Sequence, residues 1–102
     1  MKEMKKVNPR EIALKILYEI ETKSAFANET VEKYSDKFKL SSLDSRFIRE
    51  LVNGVTKLKR RLDYITSFFL KGKIEDLTPW IRNTLRLGIY QIDYLDRVPD
   101  RA

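Results

Sequence analysis

Between Ser42 and Leu70 the apolar residues Phe47, Leu51, Val55, Leu58, Leu62, Ile65 and Phe69 recur at alternating spacings of four and three. That period places them along one side of an α-helix and makes a continuous apolar seam. A single rod of roughly 28 residues at 1.5 Å each would reach about 42 Å, whereas a compact chain of this size has a radius of gyration of about 13 Å. The pattern therefore predicts a bend. Gly54, Val55 and Thr56 are weaker helix formers than their neighbours and place it between Gly54 and Lys59.

Upstream, Asn8 can cap a helix that has Pro9 at its first position and Glu11 at its third. Ile12, Ala13, Ile16, Leu17 and Ile20 line one side of it, with Glu11, Lys15 and Glu19 as a charged ladder on another, to about Thr22. Ala27, Val31, Tyr34 and Phe38 mark a second helix between Ser24 and Lys39, and Ser41 with Asp44 opens the central segment. Lys71 to Leu77 reads as a loop with at most one irregular turn. Thr78 and Pro79 then start a last helix whose apolar stripe is Ile81, Leu85, Gly88, Ile92 and Leu95, and which Pro99 ends. No strand pattern occurs. The expectation is an all-α domain of four to five helices over residues 1–102, with residues 1–7 as a loose basic leader.

Two polar residues fall on or beside these stripes. The hydroxyls of Thr66 and Thr84 either bond back to the carbonyl four residues earlier, the favoured reading, or mark faces less buried than the pattern suggests. Gly88 in mid-helix costs about 1 kcal/mol relative to Ala, a cost that close packing of another backbone explains better than a ligand does.

With 102 residues the chain can bury about two-thirds of its surface without disulfide or metal. Having neither cysteine nor histidine, it excludes thiolate catalysis, Ser-His-Asp triads and zinc clusters. No catalytic residue, metal or cofactor site is expected. A net charge of +6 and a pI near 9.6 point to an anionic partner: RNA, DNA, an acidic protein or a membrane surface. No apolar run is long enough for a signal peptide or a membrane span, so the expected location is cytoplasmic.

Gly54, Gly72 and Gly88 are dispersed and form no nucleotide-binding loop. The acidic pairs Glu75-Asp76 and Asp93-Asp96 read as solvated. Tyr18, Tyr34, Tyr64, Phe68, Phe69, Trp80, Tyr90 and Tyr94 could stack on bases, but their spacing favours core packing, with Trp80 the exposed exception. Cations cluster as Lys2, Lys5, Lys6 and Arg10 at the first helix start, as Lys57, Lys59, Arg60 and Arg61 at the bend, and as Arg82 with Arg86 on the last helix. Alone, such a cluster reads better as a solvated helix face than as a phosphate site. Two of them on one face would make a track for a phosphodiester backbone.

The strings NPREIALKILYEI, LDSRFIRELVNGV, RRLDYI and LTPWIRNTLRLGIYQIDYLDRVP resemble the N-terminal domain of Sun/Fmu-type (RsmB) methyltransferases, which modify cytosine C5 in 16S ribosomal RNA. That domain is similar to the transcription antitermination factor NusB. The resemblance covers nearly the whole chain from Asn8. It implies a NusB-like helical fold of two packed subdomains that binds RNA, with the long segment split into two helices and an RNA contact at the first helix start. Where NusB is arginine-rich, this chain has Arg10 and Lys6 but also Val7 and Asn8, which favours the methyltransferase branch. The family's catalytic domain, with its S-adenosylmethionine site and cysteine nucleophile, is not in this chain, and its helices beyond the VPDRA position are missing as in a truncated module.

The resemblance and the charge together give the expected function, an RNA-binding accessory domain of an rRNA cytosine-C5 methyltransferase that is not catalytic by itself. Lys6, Arg10, Lys57, Lys59, Arg60 and Arg61 are the expected RNA contacts. Ribosomal RNA and a catalytic methyltransferase domain are the expected partners, with no membrane. A homodimer is expected through Ile81, Leu85, Ile89, Ile92 and Leu95, an arc too broad for the central seam to cover. The alternative is a NusB-type antitermination or protein-interaction module.

Overall fold

The computed structural model describes residues 8–95. Five α-helices follow one another: α1 (Pro9–Lys23), α2 (Ala27–Phe38), α3 (Ser42–Lys57), α4 (Lys59–Ser67) and α5 (Pro79–Tyr90). A 3₁₀ turn, Ile74–Asp76, precedes α5, and a π-helical turn, Gln91–Leu95, continues it. No strand occurs among the described residues.

Three of the helix starts are capped as the sequence predicts. Asn8 Oδ1 accepts from the Arg10 amide at 3.0 Å, Ser41 Oγ from Asp44 at 3.0 Å and Thr78 Oγ1 from Ile81 at 3.2 Å. Each satisfies an amide that the helix itself leaves unpaired, a gain of about 1 kcal/mol. Helices α1 and α2 end on Ser24 and Lys39 in the left-handed region, at φ 55° and 50°. The central segment breaks at Leu58, whose φ of −103° and ψ of 18° leave the helical range inside the predicted window.

The core lies where α1, α3 and α5 meet, with α2 and α4 closing its sides. Ile12, Ala13, Ile16 and Leu17 of α1 face Ile48, Leu51, Val52 and Val55 of α3, and Val31, Tyr34, Leu62, Leu87 and Tyr90 complete the cluster. The predicted seam is thus right only in part. Leu51, Val55 and Leu62 are buried, Phe47, Leu58 and Ile65 are half-buried, and Phe69 is exposed because it lies in the turn after α4 has ended. Ile48 and Val52 take the missing places, since α3 packs against α1, α2 and α5 and so buries more than one stripe.

The last helix is rotated relative to its predicted stripe. It buries Asn83, Arg86, Leu87 and Tyr90, while Ile81 is exposed and Ile92 beyond it is 70% exposed. Thr84 accordingly faces out, its hydroxyl bonded to Trp80 O at 2.7 Å. Thr66 is buried and bonds back to Leu62 O at 2.8 Å, as expected. The close approach expected at Gly88 is absent, for a Cβ there would meet nothing within 4 Å. It occurs at Gly54 instead, where an added Cβ would lie 2.6 Å from Cε1 of the Tyr90 ring and nearer still to its hydroxyl end. The helix stop expected at Pro99 lies outside the described residues. Among those described, no helix is long and apolar enough to cross a membrane.

Candidate nucleic-acid interface

Arg10 stands in the first turn of α1, where its Nε donates to the Gln91 side-chain oxygen and its guanidinium lies 5.3 Å from the Phe47 ring centroid. Arg61, in the first turn of α4, donates from Nε to the Tyr94 hydroxyl at 2.9 Å. Gln91 and Tyr94 are three residues apart on the same π-helical turn. One short element therefore holds both arginines, and Arg10 at the first helix start is tied to Arg61 at the bend. The turn is itself braced by the Gln91 amide on Leu87 O at 3.3 Å and by the stacked rings of Tyr90 and Tyr94, 5.5 Å apart.

Lys57, Lys59 and Arg60 are exposed, and among the described residues none of them forms an ion pair. Lys59, Arg60 and Arg61 open α4 with no acidic residue in its first turn and no side-chain cap. Cations at the positive end of a helix dipole cost up to about 1 kcal/mol each, and an anion bound there removes that cost. Of the six predicted contacts, Arg10, Lys57, Lys59, Arg60 and Arg61 thus have defined places, while Lys6 lies outside the described residues.

Arg82 and Arg86 are not part of such a track. Arg82 Nη1 donates to Leu77 O at 2.6 Å and Ile74 O at 3.1 Å, and its guanidinium also pairs with Glu21. Arg86, only 6% exposed, grips both Asp63 oxygens, at 2.7 and 2.9 Å, and reaches Glu21 at 3.3 Å. Asn83 Nδ2 donates to Glu21 Oε1 and to Pro79 O, each at 2.8 Å. The network links α1, α4 and α5. Burial alone would raise the Glu21 carboxyl, but hydrogen bonds from Arg82 and Asn83 and the two guanidinium charges outweigh it and hold it below the usual carboxylate value.

Sequence reasoning missed Glu21, Asp63 and Asn83. The one available signal was that Asn83 and Arg86 share a helical face with Leu87 and Tyr90. A cleft of about 230 Å³ opens beside this network between Ile20, Thr56, Lys59 and Arg86. Among the described residues, no buried side-chain polar atom lacks a partner and no three acidic groups converge to hold a metal.

The aromatic residues also divide differently from expectation. Tyr34 and Tyr90 are core, and Trp80 is exposed as predicted, edge-on to Tyr18 at 5.5 Å. Tyr64, Phe68 and Phe69, read as core from their spacing, lie in the open. α4 turns Leu62 and Thr66 inward, which leaves Tyr64 on another side of it, and Phe68 and Phe69 follow its last residue.

Fold and edge together define a small all-helical domain that presents unpaired cations at a helix bend, in a chain with no cysteine or histidine. The chain belongs to the NusB family, whose model matches residues 7–102. It is 36% identical over 97% of its length to the probable ribosomal RNA small subunit methyltransferase B of Bacillus subtilis (strain 168), and 33% identical over 94% to that of Synechocystis sp. (strain PCC 6803). It spans only 22% of the length of each of these relatives. It is also 30% identical to the transcription antitermination protein NusB of Desulforudis audaxviator (strain MP104C), across 94% of this chain and 70% of that protein. No solved structure matches the chain.

Proposed function

We propose that this chain is an RNA-binding accessory domain of an rRNA cytosine-C5 methyltransferase, without a catalytic step of its own. The observation that carries the reading is the 36% identity, over nearly the whole chain, to a protein named as a ribosomal RNA methyltransferase. Methyl transfer would belong to a separate catalytic domain, a partner of this one. The mechanism is neutralisation of the RNA backbone by Lys6, Arg10, Lys57, Lys59, Arg60 and Arg61, with ribosomal RNA as the ligand. The unpaired cations at the start of α4 support it, as does the shared anchoring of Arg10 and Arg61 on one turn.

Salt titration of binding to a single-stranded RNA tests the proposal. Four phosphate contacts give a log-log slope of roughly −2.8, from about −0.7 per contact. Replacing Lys57, Lys59, Arg60 and Arg61 by Ala should flatten that slope and weaken binding. An affinity indifferent to salt, or to the four replacements, refutes it.

A NusB-type interaction module is the second reading, favoured by the 70% of the Desulforudis NusB protein that this chain covers. Cross-linking to RNA and to protein partners in parallel separates the two, since capture of protein with no RNA adduct would reverse their order. A homodimer through the outer face of α5 and the turn that continues it is compatible with either, because Ile81 and Ile92 lie exposed there.

A further inference from the structure

The bend cluster has neighbours that charge does not explain. Along α4, Arg60, Tyr64 and Phe68 follow one another at intervals of four, so they stand on a single face, and Arg61 precedes Tyr64 by three. Tyr64 is 63% and Phe68 68% exposed, and their rings meet edge to face at 5.0 Å. Neither belongs to the core cluster. Two large rings are thus held open to water one turn from the cations.

Charge decides what could cover them. Among the described residues Lys57, Lys59 and Arg60 have no carboxylate within ion-pair reach, and Asp63, the acidic residue on α4, is engaged by Arg86. In the segment after α4, Lys71 and Lys73 balance Glu75 and Asp76. An apolar protein surface laid on the rings would bring uncompensated cations out of water beside it, a cost that nothing repays. A nucleic acid supplies phosphates for the cations and a flat π-face for a ring at once. In a duplex the base faces are already stacked on one another, which leaves the unpaired strand as the ligand.

We propose that the Arg60–Tyr64–Phe68 face of α4 is a stacking platform for unpaired RNA bases whose phosphates lie on Lys57, Lys59, Arg60 and Arg61. The inference rests on the RNA-binding reading above and deepens it by naming the rings on which the bases of the strand stack. Because the two rings are inclined at 80°, a base can lie flat on only one of them. Tyr64, nearer the cations, takes the stacked base, and Phe68 flanks it.

The test uses fluorescence anisotropy of this chain with a labelled unpaired RNA of about 12 nucleotides and with a duplex of the same sequence, each across a salt series. The unpaired strand is expected to bind more tightly than the duplex. Tyr64→Ala weakens the unpaired strand about tenfold and Tyr64→Ala with Phe68→Ala further, while the salt slope stays, since no phosphate contact is lost. Tyr64→Phe retains the affinity, and circular dichroism of all three variants matches the parent because both rings are outside the core. If the parent binds with the expected salt slope but the double variant binds equally well, the platform is refuted and the RNA reading stands. If the parent binds no RNA, both fall. If the double variant abolishes self-association in sedimentation and leaves RNA affinity untouched, a second copy occupies the face and the platform is again refuted.

Discussion

Cutting Asp63 back to Ala would strand the Arg86 guanidinium. Arg86 is 6% exposed and spends Nε and Nη2 on Asp63, so Asp63→Ala removes two charge-assisted hydrogen bonds and leaves those donors in a site that admits little water. Breaking a buried pair on one side costs about 3–5 kcal/mol. Here the Asp63 side chain is 25% exposed and Glu21 still reaches Arg86 at 3.3 Å, which lowers the expected loss to about 2–3 kcal/mol. At about 4–8 °C per kcal/mol for a chain of this size, the melting temperature should fall by about 10–20 °C.

Urea unfolding of the parent, Asp63→Ala, Arg86→Leu and the double variant measures the effect. The double variant should lose about 1–3 kcal/mol less than the sum of the single losses, because each single change already breaks the shared bonds. A loss under about 0.5 kcal/mol for Asp63→Ala, or strict additivity in the cycle, would refute the claim that this pair holds α4 on α5. The same network sets an acid limit. Glu21 is held below its ordinary 4.5, so its contribution is complete above that pH and is lost as pH falls through the folded value. Glu21→Gln should make stability less dependent on pH in that range.

Three further outcomes are expected. Gly54→Ala drives a methyl into the Tyr90 ring and should destabilise by about 1–3 kcal/mol, with partial recovery when Tyr90→Leu is added; Gly88→Ala, where the space is open, should stabilise by up to about 1 kcal/mol in the same urea assay. Burial, followed by its hydrogen bond to Glu19, pushes the Tyr34 hydroxyl up from 10.0 to about 12; since the folded value lies above the unfolded one, stability should be lost as pH rises from 10 towards 12, and Tyr34→Phe should blunt that loss in alkaline unfolding. Self-association through the outer face of α5 should weaken in Ile92→Glu, which sedimentation equilibrium reads directly; a single 12.1 kDa species at every concentration of the parent would exclude the dimer.

Features set by near neighbours were legible in the sequence. Asn8, Ser41 and Thr78 cap their helices because the amides they satisfy lie two or three residues on. The break at Leu58 and the 3₁₀ turn at Ile74–Asp76 fell inside their predicted windows for the same reason. The candidate interface was legible as composition, in the run Lys57, Lys59, Arg60, Arg61. Its connection to Arg10 was not, because it passes through Gln91 and Tyr94, whose partners are 81 and 33 residues away.

The sequence by itself determined an all-helical chain, its caps, its break and a basic character without thiol or imidazole chemistry, since these depend on residue type and on spacings within one helical turn. Tertiary structure decided which faces those helices turn inward. Hydrophobic periodicity read Arg82 and Arg86 only as a cationic cluster and put Ile81 and Ile92 on one apolar stripe, in an arc broader than the central seam could cover. Glu21 and Asp63, distant in the chain, provide the carboxylates that allow Asn83 and Arg86 to be buried. With that polar staple fixing its rotation, α5 turns Ile81 outward and the turn that continues it leaves Ile92 exposed, while α4, with Leu62 and Thr66 inward, leaves Tyr64 and, at its C-cap, Phe68 exposed near the cations.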